Sequence, residues 1–104
     1  MGNNYLLVYH GGSMPESEEE GKKVIQAWTD WFGTLGGALI DGGNPASRTK
    51  TIGAGGAVSD DADGPSGYSI ISADSIDAAV ELAKGCPVLQ GGASVQVVET
   101  FAAM

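Results

Sequence analysis

His10, Asp41, Tyr68 and Cys86 are the side chains of this sequence that combine acid–base or nucleophilic character with a place near an expected strand end or helix end. An imidazole, a carboxylate, a phenol and a thiol gathered at one mouth could support proton transfer, with His10 as general base and Asp41 as its catalytic neighbour. No spacing in the chain requires that use. The plain alternatives are a His10 hydrogen-bonded to the adjoining turn and an Asp41 that caps the turn at Gly42-Gly43. Trp28 and Trp31, three residues apart, read either as core packing or as the apolar wall of a pocket between a helix and a sheet. Tyr68 and Cys86 complete the candidate ligand-binding set. Cys86 by itself reads as a small buried hydrophobe, and the C-terminal end of a helix disfavours a thiolate.

The familiar motifs fail on inspection. Gly53-Ala54-Gly55-Gly56-Ala57-Val58 begins like a dinucleotide fingerprint, but Val58 stands where the last glycine belongs and no helix follows. Asp61-Ala62-Asp63-Gly64 has the start of a calcium loop without its distal Glu, and reads as a solvated turn. There is no phosphate loop, no nucleophile elbow and no HExxH. No metal and no cofactor is expected.

The positioning elements follow from periodicity. Tyr5 to His10 is a strand by residue type, stopped by Gly11-Gly12. Its alternate positions, Tyr5, Leu7 and Tyr9 against Leu6 and Val8, are apolar on both sides. The first helix should begin between Ser13 and Ser17, since each serine precedes a Glu by three residues in the manner of a capping box. Pro15 is tolerated only in a first turn. Glu18–Lys22 and Glu19–Lys23 are spaced as i,i+4 pairs, and Val24, Ile25, Trp28, Phe32 and Leu35 are the expected buried stripe. A strand at 38–41 follows, closed by Gly42-Gly43-Asn44-Pro45. Residues 48–52 and 57–58 could make a short hairpin ahead of an acidic loop at 60–65. Gly67 to Ser72 is the third main strand. The second helix starts at an Asp74 or Ser75 cap, buries Ile76, Ala79, Val80 and Ala83, and stops at Gly85 before Pro87. Ser94 to Thr100 is the last strand.

Length and charge bound the rest. With 104 residues there is room for one domain. Five Lys and Arg against 13 Asp and Glu give a net charge of −8 with no basic run, which argues against nucleic-acid binding. No apolar stretch approaches the roughly 20 residues needed to span a bilayer, and no signal-peptide pattern opens the chain. The one cysteine precludes an internal disulfide, so a cytoplasmic location is expected.

Leaving the hairpin aside, the order strand, helix, strand, strand, helix, strand is that of an α+β ferredoxin-like fold. It predicts an antiparallel sheet ordered 4-1-3-2 with both helices on one face. Because the first strand is apolar on both sides, the bare face should stack on a second subunit, and a homodimer is the expected partner state.

Tyr5-Leu6-Leu7-Val8-Tyr9, the glycine-rich end of the second strand, Gly67-Tyr68-Ser69-Ile70, the helix from Ala73 to Pro87 and Gly91-Gly92-Ala93-Ser94-Val95-Gln96-Val97 together resemble the YCII-related family, including its DGPF-type branch. The resemblance covers nearly the whole chain and implies a ferredoxin-like fold and a dimeric α/β barrel. Asp63-Gly64-Pro65 matches the name-giving tetrapeptide, with Ser66 in place of Phe. The family's presumed chemistry rests on a His in the first helix and an Asp before the Pro that follows the second. Here those positions look like Trp28 and Cys86, and neither can repeat a His–Asp proton relay. Two readings follow: a small dimeric domain that binds a small molecule in a pocket between helix and sheet, or a cofactor-independent lyase, isomerase or monooxygenase with His10 as general base. The second rests on fold analogy.

Overall fold

In a computed structural model, which describes residues 3–12, 16–61 and 63–102, the chain runs β1 (Asn3–His10), α1 (Glu18–Leu35), β2 (Leu39–Asp41), β3 (Thr49–Ile52), β4 (Val58–Asp61), β5 (Gly67–Ala73), α2 (Ile76–Ala83) and β6 (Ser94–Glu99). The class is α+β. Four strands form one antiparallel sheet in the order β2-β5-β1-β6, and β3 and β4 form a separate two-stranded sheet.

Ser17 sets the start of α1. Its backbone is extended and its Oγ accepts from the Glu20 amide at 3.1 Å, which satisfies one of the helix's free donors. The Glu20 carboxylate returns to the Glu16 amide at 3.0 Å. Ser13 and Pro15 lie outside the described residues. Ser75 caps α2 in the same way, accepting from the Ala78 amide at 3.1 Å. The expected Glu18–Lys22 and Glu19–Lys23 pairs do not form. Among the described residues the ion pairs are Lys50–Asp60 and Glu81–Lys84. Exposed carboxylates and ammoniums on α1 gain little by leaving water for each other.

The two helices lie on one face of the sheet. Tyr5, Leu7, Tyr9 and Ile71 point into a core closed by Trp31 and Leu35 of α1, Ala79 and Ala83 of α2, and Cys86. The alternate residues Leu6, Val8 and Ile70 stand on the opposite face, where neither helix reaches. Two positions of the expected α1 stripe differ: Ile25 is 68% exposed and Val24 is exposed as well, while Trp31 is buried. Ile25 falls on the flank of the arc that Trp31, Leu35 and Trp28 share. On α2, Ile76 and Val80 are likewise exposed, so its buried side is the small pair Ala79 and Ala83. Alanines at the contact let α2 sit close to β5 and β6.

The hairpin departs from expectation in its second half. Asp60 and Asp61 are not loop but strand, paired with Lys50 and Thr49, and Lys50 Nζ meets Asp60 at 3.1 Å. The arm's tip pairs Ile52 with Val58, which are 71% and 59% exposed.

Trp31 Nε1 donates to the Leu82 carbonyl at 3.1 Å, tying α1 to the end of α2, and Gly85 leaves room for the indole where a Cβ would crowd it at 3.1 Å. Trp31→Ala should therefore cost about 3–5 kcal/mol of unfolding free energy, whereas Ile25→Ala should stay within about 0.5 kcal/mol. Urea denaturation of the two variants checks this. Comparable losses at both positions would mean that α1 packs through a different face.

Candidate functional site

Tyr9 is the last inward-facing residue of β1, and its buried side chain joins four parts of the chain. Its hydroxyl donates to Ser69 Oγ at 2.7 Å, and Ser69 Oγ donates onward to the Gly42 carbonyl at 2.8 Å. Ser69 is fully buried, so these two bonds satisfy a hydroxyl that would otherwise be costly in the core. The Tyr9 ring meets Trp28 edge-on with centroids 5.5 Å apart. Trp28 in turn lies 5.7 Å from Trp31 and 5.6 Å from Phe32, giving an aromatic cluster along one side of α1.

Beside this cluster lies a cavity of about 380 Å³. Val24, Trp28 and Phe32, spaced by one helical turn, form its helix wall. Tyr9, Gly67 and Tyr68 form the sheet side, Val88 adds from the segment after α2, and Gly42 to Pro45 close the end. The Gly42 to Pro45 segment is held by Tyr68 and Ser66, since the Tyr68 amide donates to Asn44 O at 3.3 Å and the Ala46 amide to Ser66 O at 2.9 Å. Gly43 has φ 75°, and a Cβ there would collide with the Tyr68 carbonyl. Only glycine fits that corner. A second cavity of about 570 Å³ shares Val24, Trp28, Pro45, Ser66 and Val88 with the first and continues to Lys23, Gly11-Gly12 and Gln90. The two make one cleft along α1.

The residues singled out in the sequence divide accordingly. Trp28 lines both cavities and Tyr68 lines the first. Tyr68 is rooted opposite Val8 on the outer face and reaches the cleft at its rim, where Asn44 Nδ2 stands 3.4 Å from its hydroxyl. Trp31 lines neither cavity and is core. Cys86 is buried behind Tyr9. Trp28 and Cys86, the positions where the family's His and Asp were expected, thus both neighbour Tyr9. His10 does not share the mouth. Strand alternation turns Tyr9 to the helices and His10 to the other face, where its Nε2 lies 2.7 Å from Gln96 Oε1. Asp41 is exposed and accepts from the Gly43 amide at 2.8 Å, the turn-capping role. The proposed gathering of His10 with Asp41, Tyr68 and Cys86 at one mouth is therefore corrected: both catalytic candidates lie off the cleft.

Tyr9, Phe32 and Lys23 are among the lining residues that the sequence does not single out as site residues. Tyr9 carried a signal, being in phase with Tyr5 and Leu7, and Phe32 lies one turn beyond Trp28. Among the described residues, neither cavity is lined by a carboxylate, an imidazole or a thiol. No three His, Cys, Asp or Glu side chains among them come together as a metal-holding group. The cleft can enclose, stack and orient; among the described residues that line it, none exchanges a proton near neutral pH.

Burial raises the Tyr9 phenol well above its ordinary value, against a smaller lowering by Ser69. Burial also raises the Cys86 thiol, opposed by its hydrogen bonds to Val88 and Tyr9. In both cases the folded state holds the proton more tightly than the unfolded chain. Stability is then full at neutral pH and falls once the unfolded thiol, and after it the unfolded phenol, begins to ionise, from about pH 9 upward. Cys86→Ala should move the onset of that fall toward pH 10, and adding Tyr9→Phe should flatten it further. Urea midpoints from pH 7 to 11 measure this, and unchanged slopes in both variants would contradict it.

Against known proteins, no family model matches the chain and no curated sequence matches it.

Proposed function

We propose that this chain is a YCII-related domain of the DGPF-type branch. In this reading its ferredoxin-like fold forms half of a dimeric α/β barrel and holds a small, apolar-bodied molecule in the cleft beside α1. The observation that carries the reading is the aromatic cavity of about 380 Å³ walled by Tyr9, Trp28, Phe32 and Tyr68, with no ionisable acid or base near neutrality among its described lining. A preformed apolar cleft with few polar groups is the usual form of a small-molecule site. Catalysis with His10 as general base gains no support from a side chain on the far face of the sheet, and binding is the function preferred here.

The homodimer is part of the same reading. Its support is the uncovered sheet face, where Leu6, Val8, Ile70 and Val98 are apolar. The chain is 18 Å across its thinnest direction, the depth of one helix layer on one sheet. The β3–β4 arm adds to it, since an isolated two-stranded hairpin is marginal in water and its apolar tip needs a surface. A cytoplasmic home suits a lone buried thiol. No helix among the described residues is long and apolar enough to cross a membrane.

Native mass spectrometry of freshly purified protein should give a dimer carrying extra mass that is lost under denaturing conditions. Trp28→Ala should lose that mass and keep the dimer, while Val8→Glu should give monomers by burying a charge at the interface. A wild-type monomer would sink the barrel. A bare dimer that also fails to bind any hydrophobic probe would sink the pocket.

A further inference from the structure

The cleft has one charged end. Lys23 lines the second cavity and is the only charged side chain among the described lining residues of either. It makes no ion pair among the described residues, although Glu19 stands one turn before it. The asymmetry is informative in a chain with 13 Asp and Glu and five Lys and Arg. Acidic side chains dominate the protein as a whole, yet among the described residues none lines the cleft, and the one charged group that does is a cation. The aromatic end is built by Trp28, Phe32 and Tyr9, and Trp28 faces both cavities. The row of Lys23 and Ala27 lies about 100° round α1 from the row of Val24 and Trp28, and residues of both rows line the second cavity.

From this arrangement we propose that the molecule held in the cleft is an apolar or aromatic carboxylic acid, its ring against Trp28 and its carboxylate toward Lys23. The proposal rests on the pocket reading above and specifies its ligand. A neutral hydrophobe would leave Lys23 without a purpose in the site. A cationic one would meet the ammonium with no carboxylate to offset it. The net charge of −8 repels anions at long range, so a preference for an anion must arise locally.

Calorimetric titration with 2-naphthoate, 2-naphthamide and 2-naphthylmethylamine separates the cases, because the three share a ring system and differ in charge. The full-length protein should bind naphthoate about fivefold more tightly than naphthamide, the scale of a partly exposed ion pair, and bind the amine least. Added salt should narrow that gap. Lys23→Gln should abolish the preference for naphthoate while leaving naphthamide affinity unchanged, and Trp28→Ala should weaken all three. Equal binding of naphthoate and naphthamide, or a preference that survives Lys23→Gln, would overturn the carboxylate assignment and leave the pocket standing. Failure of the wild type to bind any of the three would overturn both. Lys23→Arg keeps the charge and should keep the preference, which distinguishes loss of a cation from damage to α1.

Discussion

Tyr9 ties the central strand to β5, to the turn after β2 and to α1 at once. A tyrosine at the inward end of the central strand must bury both a large ring and a hydroxyl. The ring is covered by Trp28 of α1. The hydroxyl is satisfied by Ser69 on β5, which hands the bond on to the backbone after β2 at Gly42. Through that short chain β1, β5, the β2 turn and α1 are fixed against one another. The cleft is what remains between Trp28, Phe32 and the Gly42–Pro45 segment once they are fixed. Glycine at 42, 43 and 67 lets the backbone approach these rings closely: a Cβ at Gly42 would press on Phe32 and one at Gly67 on Tyr9.

A second constraint is the imbalance between two helices and a sheet with two apolar faces. Helix burial accounts for Tyr5, Leu7, Tyr9 and Ile71, and leaves Leu6, Val8 and Ile70 outside the core. The β3–β4 arm repeats the pattern on a smaller scale, with polar pairs along its length and Ile52 and Val58 at its tip. Surfaces of this kind cost solvation free energy in an isolated chain, which is the physical argument behind the proposed homodimer. The cleft, by contrast, lies within one chain.

Much of the fold was legible. Period-two alternation points to β1, β5 and β6, and serine caps mark the start of both helices, at Ser17 and Ser75. The stretch from 46 to 66 was legible only as a hairpin of uncertain extent, because Asp60 and Asp61 have no strand preference of their own. They become strand through Lys50 and Thr49 opposite them. On α1 the apolar pattern includes Val24 and Ile25, which are exposed, and omits Trp31, which is buried. Trp31 is drawn into the core by Leu82 and Gly85 of a distant segment, which a local pattern does not show.

Residue type and short-range period are enough to give the α+β class, the order of elements, the apolar character of both sheet faces and the lack of recognisable catalytic motifs. Which candidate residues share a site is set by packing between distant segments. Alternation in a strand places neighbours on opposite faces, so one residue's shift separates Tyr9, at the heart of the cleft, from His10, bonded to Gln96 on the other side. Which member of such a pair faces the helices depends on where those helices pack, and that is a property of long-range contacts that no local pattern encodes.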